Sequence, residues 1–367
     1  MKENFKFNSI NIKAFRGLNN LKLDSCNKVN LLLGDNNVGK SSVLEALTMF
    51  KTDDPFNLFS IASNRDISYS GSISGIKYLY PIGKNKIELT ALTSNGEINI
   101  SSTHQIKKII FNKEAFSNVE DKNQKAMLER MVKSFNYEGK ESDVIEGELN
   151  FNGRIKKFSY GKLDLITSGI LNSSQRLNNI TYVSPYTHFK LDFIPLDSVL
   201  KSDSYKKAFI KVLQLFEPDI EDLLYLSNDD LINEKVPFIK KVGQDASPVS
   251  IYGDGIKKAI AIAVFVALSR GGVLLIDEIE TSLYFKYFNV LFSFLVEACT
   301  HFDVQLFITT HSDEVINSFI DIANKAEGES ICSIFTLRKN GKQTSAAKLS
   351  GKQQLSLKQT MSMEIRE

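Results

Sequence analysis

Near the N-terminus, Gly34-Asp35-Asn36-Asn37-Val38-Gly39-Lys40-Ser41 follows the spacing G-x-x-x-x-G-K-[ST], with Ser42 next in line. The chemistry this pattern serves is phosphate binding. Glycines let the backbone wrap closely, and the N–H groups of the turn and of the following helix start point at an anion. Lys40 would then contact the β- and γ-phosphates of a nucleotide, and the Ser41 hydroxyl would bind Mg²⁺. A second stretch, Gly272-Val273-Leu274-Leu275-Ile276-Asp277-Glu278, runs four apolar residues into two carboxylates. Asp277 at the strand tip can hold Mg²⁺, directly or through water, and Glu278 can polarise an attacking water. A third, Leu306-Phe307-Ile308-Thr309-Thr310-His311-Ser312, brings a histidine to the end of a buried strand, where it can donate a hydrogen bond to a γ-phosphate. In the fourth, Tyr252-Gly253-Asp254-Gly255-Ile256-Lys257-Lys258, a glycine turn opens a helix and offers N–H groups to a second phosphate site.

These residues need elements that aim them. Lys6 to Phe15 alternates apolar and polar residues, as a half-buried strand does, and Val29 to Leu33 is a continuous apolar run suited to a strand covered on both faces. Val43, Leu44, Leu47 and Phe50 recur at helical spacing, so a helix is expected over Ser41 to Phe50. Asp53 to Gly83, rich in Ser, Gly and Asn, reads as loops. Hairpins are expected over Lys86 to Ile100, turning near Gly96, and over Val144 to Tyr160 around Asn152-Gly153. Helical patterns cover Glu114 to Phe135 and Asp203 to Leu226, the latter interrupted at Pro218. Beyond Gly243 a helix (Ile256 to Ser269), a strand (Val273 to Ile276), a helix (Leu283 to Thr300) and a strand (Val304 to Ile308) succeed one another. Such alternation predicts an α/β fold with a largely parallel sheet covered on both faces.

Composition narrows the class. The 367 residues are 43% hydrophobic, ordinary for a soluble globular chain. Forty-five basic and 43 acidic residues leave a net charge of +2, which neither implies nor excludes a nucleic-acid partner. Three scattered cysteines do not form a disulfide framework and fit a reducing cytoplasm. No apolar run is long enough to span a bilayer, and Met1 to Ile10 carries no signal-peptide pattern, so no membrane partner is expected.

Together and in this order, the motifs resemble an ATP-binding-cassette (ABC) ATPase. The phosphate loop is similar to Walker A, and Asp277-Glu278 to Walker B with its catalytic glutamate. Glu280-Thr281-Ser282-Leu283 fall where the family's D-loop lies, His311 where its switch histidine lies, and Gly253-Asp254-Gly255 at the signature loop. Ile12-Lys13-Ala14-Phe15-Arg16-Gly17-Leu18, ahead of the Walker strand, is similar to SMC, RecF and OLD-type proteins rather than transporters, and brings Arg16 into the nucleotide-binding set. Chain size and the motif wording resemble compact bacterial OLD-like ATPases of anti-phage systems such as PARIS, Septu and some retrons.

That resemblance implies an ABC ATPase head: a mostly parallel P-loop core sheet, an antiparallel β subdomain and a helical accessory lobe. It implies ATP and Mg²⁺ as cofactors, a cytoplasmic location, and a head-to-tail homodimer, or a higher assembly of dimers, closed around ATP. A separately encoded effector, a nuclease or toxin, would be the partner. The expected division is 1–110 for the N-terminal part of the core, 111–243 for an inserted helical and β lobe, and 244–367 for the C-terminal part. Three departures stand out. Tyr252 occupies the place of the signature serine, with Ser250 the nearest hydroxyl; Gln105 is only a weak match to the Q-loop glutamine; and the short basic stretch after His311 is too small for the Toprim nuclease domain of OLD proteins. The alternative reading is a RecF-like repair or recombination ATPase with DNA over paired heads, contacted by Lys107-Lys108, Lys156-Lys157 and Lys206-Lys207. A third is a structural switch that binds ATP but scarcely turns it over.

Overall fold

Alternating residues open the chain as expected: Phe7–Phe15 forms β1, with Phe7, Ile10 and Ile12 buried. The computed structural model describes residues 4–53, 56–65, 76–108, 141–160, 176–187, 202–227, 235–324, 331–341 and 343–350, with isolated positions elsewhere. From β1 the chain reverses into β2 (Leu18–Leu23) and then enters β3 (Val29–Leu33), every residue of which is buried. Helices α1 (Lys40–Thr48) and α2 (Phe56–Arg65) follow. The stretch from Asp53 to Gly83, expected as loop, therefore holds a helix and a short 3₁₀ turn at Lys77–Leu79. Its Leu58, Ile61 and Ala62 are buried, and that burial overrides the loop-like Ser and Asn content.

Both expected hairpins form. Lys86–Thr93 (β4) pairs with Gly96–Lys108 (β5), and Glu141–Phe151 (β6) pairs with Arg154–Tyr160 (β7). At the second turn Asn152 and Gly153 both have positive φ, the geometry that matches strand twist in a two-residue hairpin. The six strands join as an antiparallel sheet in the order β2-β1-β4-β5-β6-β7. The helix expected at Glu114 to Phe135 lies outside the described residues.

Ile180–Val183 forms β8, and Asp203–Leu213 forms α3. The helix expected to run from Asp203 to Leu226 is corrected: Pro218 cannot continue it, and Ile220–Ser227 is a strand, β9, paired antiparallel with Lys235–Lys241 (β10). Ser247–Pro248 (β11) completes a three-stranded sheet. Then come α4 (Asp254–Leu268), β12 (Val273–Ile276), α5 (Phe288–His301, after a 3₁₀ turn at Phe285–Tyr287), β13 (Gln305–Thr309), α6 (Asp313–Ala323), β14 (Cys332–Asn340) and β15 (Gln343–Lys348). Of the described strands of the 111–243 stretch, β6 and β7 extend one larger sheet and β8 the other, while β9 and β10 lie in the three-stranded sheet; one described helix, α3, belongs to it.

The second six-stranded sheet has the order β15-β14-β3-β13-β12-β8; all its pairings are parallel except the edge strand β15. Alternation along each strand sorts its side chains between two cores. Leu31, Leu274, Ile276, Leu306 and Ile308 pack with α3 to α6, while Leu32, Val273, Leu275 and Phe307 pack with α1 and the antiparallel sheet. Full burial on both faces explains why β12 reads as an unbroken apolar run and why β3 and β13 are apolar but for the buried Asn30, Gln305 and Thr309.

Candidate nucleotide-binding site

Strand order alone assembles the site. β13 lies between β3 and β12 in a parallel sheet, so the turn after β3, the acids after β12 and the histidine after β13 emerge side by side at the carboxyl ends. The turn from Gly34 to Gly39 is held open by left-handed backbone. Gly34 (φ 148), Asn37 (φ 61) and Gly39 (φ 106) all lie there, and Gly39 caps α1. A Cβ on Gly34 would stand 2.6 Å from the Leu337 carbonyl oxygen, so glycine is required at that position. Asp35, Asn36 and Asn37 are exposed, Val38 is buried, and Ser42 is half-buried behind Ser41 on α1.

Lys40 is buried and bends back over the turn, its Nζ donating to the carbonyls of Gly34 (2.5 Å) and Asp35 (3.0 Å). Burial lowers its pKa, with Glu280, Glu278, Asp277 and Asp35 pulling the other way. Its partners are backbone carbonyls, which a phosphate can replace with stronger, charge-assisted bonds. Asp277, 4% exposed, is the hub. Its Oδ1 accepts from Ser41 Oγ (3.1 Å) and Thr309 Oγ1 (2.5 Å), and its Oδ2 from Tyr182 OH (2.9 Å). A hydroxyl and a carboxylate at this spacing are hard oxygen donors of the kind Mg²⁺ takes alongside phosphate and water. Among the described residues no group of three or more His, Cys, Asp or Glu side chains gathers to cage a metal.

Glu278 holds a left-handed φ of 46°, rare for a residue with a Cβ, and its N–H donates to Thr309 Oγ1 at 2.9 Å. Thr309 therefore fastens β12 to β13 while giving its proton to Asp277. His311 is exposed and is held by Glu280, whose Oε1 lies 2.9 Å from both the His311 backbone N and its Nδ1. Arg16, also at left-handed φ, meets Glu45 of α1 at 3.4 Å. The exposed Gly253 caps α4, whose first residue, Asp254, is joined to Lys257 at 3.3 Å. Gly255 is packed against Phe216 and the Ser282 carbonyl, placing this turn beside residues 280–283.

Lys40, Ser41, Asp277, Glu278 and His311 thus converge, with Arg16 against the phosphate-loop helix and the glycine turn beside the 280–283 segment. Gln105 lies elsewhere, exposed on β5 opposite Val144. Four residues that sequence reasoning left without a role serve the site: Tyr182 and Thr309 as donors to Asp277, Glu280 as the partner of His311, and Lys258, fully buried on α4. Thr309, Glu280 and Lys258 stood inside the motifs without a role of their own; Tyr182 carried no local signal. Of the lysines considered for DNA, one in each pair meets a carboxylate: Lys107 with Glu146 (2.7 Å), Lys156 with Asp53 (2.6 Å) and Lys206 with Asp222 (2.6 Å). No described helix is long and apolar enough to cross a membrane.

The profile of the AAA ATPase domain family matches residues 6–316. Among curated proteins, an "ATP/GTP phosphatase" of Helicobacter pylori is 24% identical over 365 residues, covering 90% of this chain and 92% of its own. Among solved structures, an SMC head domain with an extended coiled coil, bound to the C-terminal domain of ScpA derived from Pyrococcus furiosus, aligns at 13% identity and a TM-score of 0.49, covering 99% of this chain and all of its own. The SMC head domain of Thermotoga maritima aligns at 12% identity and 0.45, covering 94% of this chain and 99% of its own.

Proposed function

The chain belongs to the AAA ATPase domain family, and from that premise we propose that it binds ATP with Mg²⁺ at the Gly34–Ser41 turn and hydrolyses it. The observation that carries this is the meeting of Lys40, Ser41, Asp277 and Glu278 at adjoining strand ends, with Asp277 already accepting the Ser41 hydroxyl. Similarity along nearly the whole of a relative named as an ATP/GTP phosphatase supports it.

In this reading the backbone N–H groups of residues 35 to 41 and the start of α1 cradle the phosphates, and Lys40 exchanges its two carbonyl partners for β- and γ-phosphate oxygens. Ser41 and Asp277 would hold the metal ion, which would supply charge neutralisation at the phosphate oxygens. Thr309 and Tyr182 fix the Asp277 carboxylate, so that it would take up a metal ion with little reorganisation. Glu278, turned by its left-handed backbone, orients water for attack on the γ-phosphorus, and His311 donates to the phosphoryl oxygens on which charge builds.

The Gly253 turn belongs to the same scheme from the other side of a dimer. It is exposed, a Cβ there would meet nothing within 4 Å, and α4 begins without a side-chain cap, so its N–H groups are presented outward. Ile251, Tyr284 and Phe285, each more than half exposed, supply apolar surface around it. A second copy closing on this face would set each turn against the partner's phosphates. Control of a separately encoded nuclease or toxin in anti-phage defence extends this reading on the strength of the motif resemblance. The RecF-like alternative is weakened because one lysine of each pair invoked for DNA is already neutralised by a carboxylate. The Glu278→Gln variant tests the scheme: it should keep nucleotide binding, lose turnover and accumulate an ATP-bound dimer on size exclusion. Turnover at the wild-type rate would remove Glu278 from its role.

A further inference from the structure

Two charged side chains sit behind the site with hydrogen-bonding capacity unspent. Glu280 gives one oxygen to the backbone and ring of His311, while its other oxygen, Oε2, is buried and has no hydrogen-bond partner among the described residues. Lys258 is 0% exposed, and its Nζ reaches one carbonyl, that of Pro185, at 3.3 Å. A buried ammonium with one long hydrogen bond is costly unless opposite charge faces it. The charges that act on it are those of Glu280, Asp277 and Glu278, with Glu280 foremost. Glu280 is likewise the foremost acid acting on Lys40.

Position gives this arrangement a purpose. Lys258 lies on the second turn of α4, just inside the Gly253–Gly255 turn, and the start of the same helix touches the 280–283 segment where Gly255 meets the Ser282 carbonyl. Glu280 stands at the head of that segment and grips His311 through two atoms. The start of α4 therefore borders the segment whose first residue holds the histidine. Pro185, the acceptor of Lys258 among the described residues, follows β8, whose Val183 carbonyl accepts from the Asp277 N–H at 2.9 Å, so the lysine also bears on the strand end beside Asp277.

We propose that Lys258 and Glu280 are a pair of positioning residues that couple the Gly253–Gly255 turn to His311. Glu280 orients the imidazole by accepting from Nδ1 and leaves Nε2 directed away from itself, and Lys258 supplies the buried counter-charge that ties that carboxylate to α4. Contact of the glycine turn with a phosphate group is thereby transmitted to the histidine on the opposite side of the segment. This rests on the nucleotide-hydrolysis reading above.

The test is a double-mutant cycle with Lys258→Met, Glu280→Gln and the double variant, substitutions that nearly preserve side-chain volume. The expected result is a fall in kcat for each single variant with KM within about twofold, and a double variant at least about fivefold more active than the product of the single losses, the size typical of energetic coupling between sites. A second arm needs no nucleotide: in ¹⁵N-labelled protein, the His311 imidazole signal, identified by its loss in His311→Ala, should move in Glu280→Gln and in Lys258→Met but hold in Lys258→Arg, which keeps the charge. A double variant equal to the product of the singles, or a His311 signal unmoved by Lys258→Met, overturns the pairing. Absence of turnover in the wild type would defeat the hydrolysis reading instead, and the imidazole arm separates the two failures.

Discussion

Replacing Lys258 with methionine should make the protein more stable while making it a poorer enzyme. The side chain is fully buried, and burial drives its pKa from 10.5 down to about 8, more than the carboxylates of Glu280, Asp277 and Glu278 recover. At about 1.4 kcal/mol per tenfold change in the protonation equilibrium, holding the charge inside the fold costs about 3 kcal/mol. Methionine fills similar space with no charge, so this cost, already net of the attraction to Glu280, Asp277 and Glu278, is removed. The Lys258→Met variant should therefore gain about 3 kcal/mol at pH 7, or about 4 °C in Tm for a chain of this length. The pH dependence has a definite sign. Below about 8 the lysine is charged both folded and unfolded, and the penalty is present in full. Between about 8 and 10.5 the folded form is neutral while the unfolded chain still carries the charge, so the wild type gains on the variant. Above 10.5 the difference is gone. Urea denaturation of both proteins at pH 7 and pH 10 reads this directly. A variant less stable than wild type at pH 7, or a gap that persists unchanged at pH 10, would refute the argument.

Gly34→Ala combines a left-handed φ with a Cβ 2.6 Å from the Leu337 carbonyl oxygen, backbone that cannot swing aside; it should lose about 1–3 kcal/mol in urea denaturation and weaken nucleotide binding in a fluorescence titration. Burial pushes the thiols of Cys26, Cys299 and Cys332 up to about 12, so all three should react slowly with a disulfide reagent at pH 8 in the native protein and rapidly in denaturant. A fast native phase in that reaction would show a thiol reachable as thiolate.

The elements that carry the site are those whose local pattern and tertiary setting agree. Val29–Leu33 and Val273–Ile276 are strands at the residues their apolar runs mark, because burial on both faces leaves no alternation to misread. Where local pattern and long-range pairing disagree, pairing prevails. Ile220–Ser227 has a helix-compatible composition, but Pro218 ends α3 and the chain finds its partner in Lys235–Lys241. The same holds within the site. The phosphate loop, the two acids and the histidine are local motifs, each readable alone. Tyr182 reaches Asp277 only because β8 lies beside β12, and Lys258 comes into the field of Glu280 only through the packing of α4, relations set by the tertiary fold. Glu280 stood within a recognisable segment, yet its grip on His311 depends on the left-handed turns at Glu278 and Ser282 that bring it round.

The account stands on one shared site for Lys40, Ser41 and Asp277, and isothermal titration of the protein with ATP and Mg²⁺ probes it most directly. The expectation is saturable heat at one nucleotide per chain in the wild type, lost in Lys40→Ala and much reduced when Mg²⁺ is withheld. Wild-type protein that releases no heat, or a Lys40→Ala variant that binds as tightly as wild type, would contradict it.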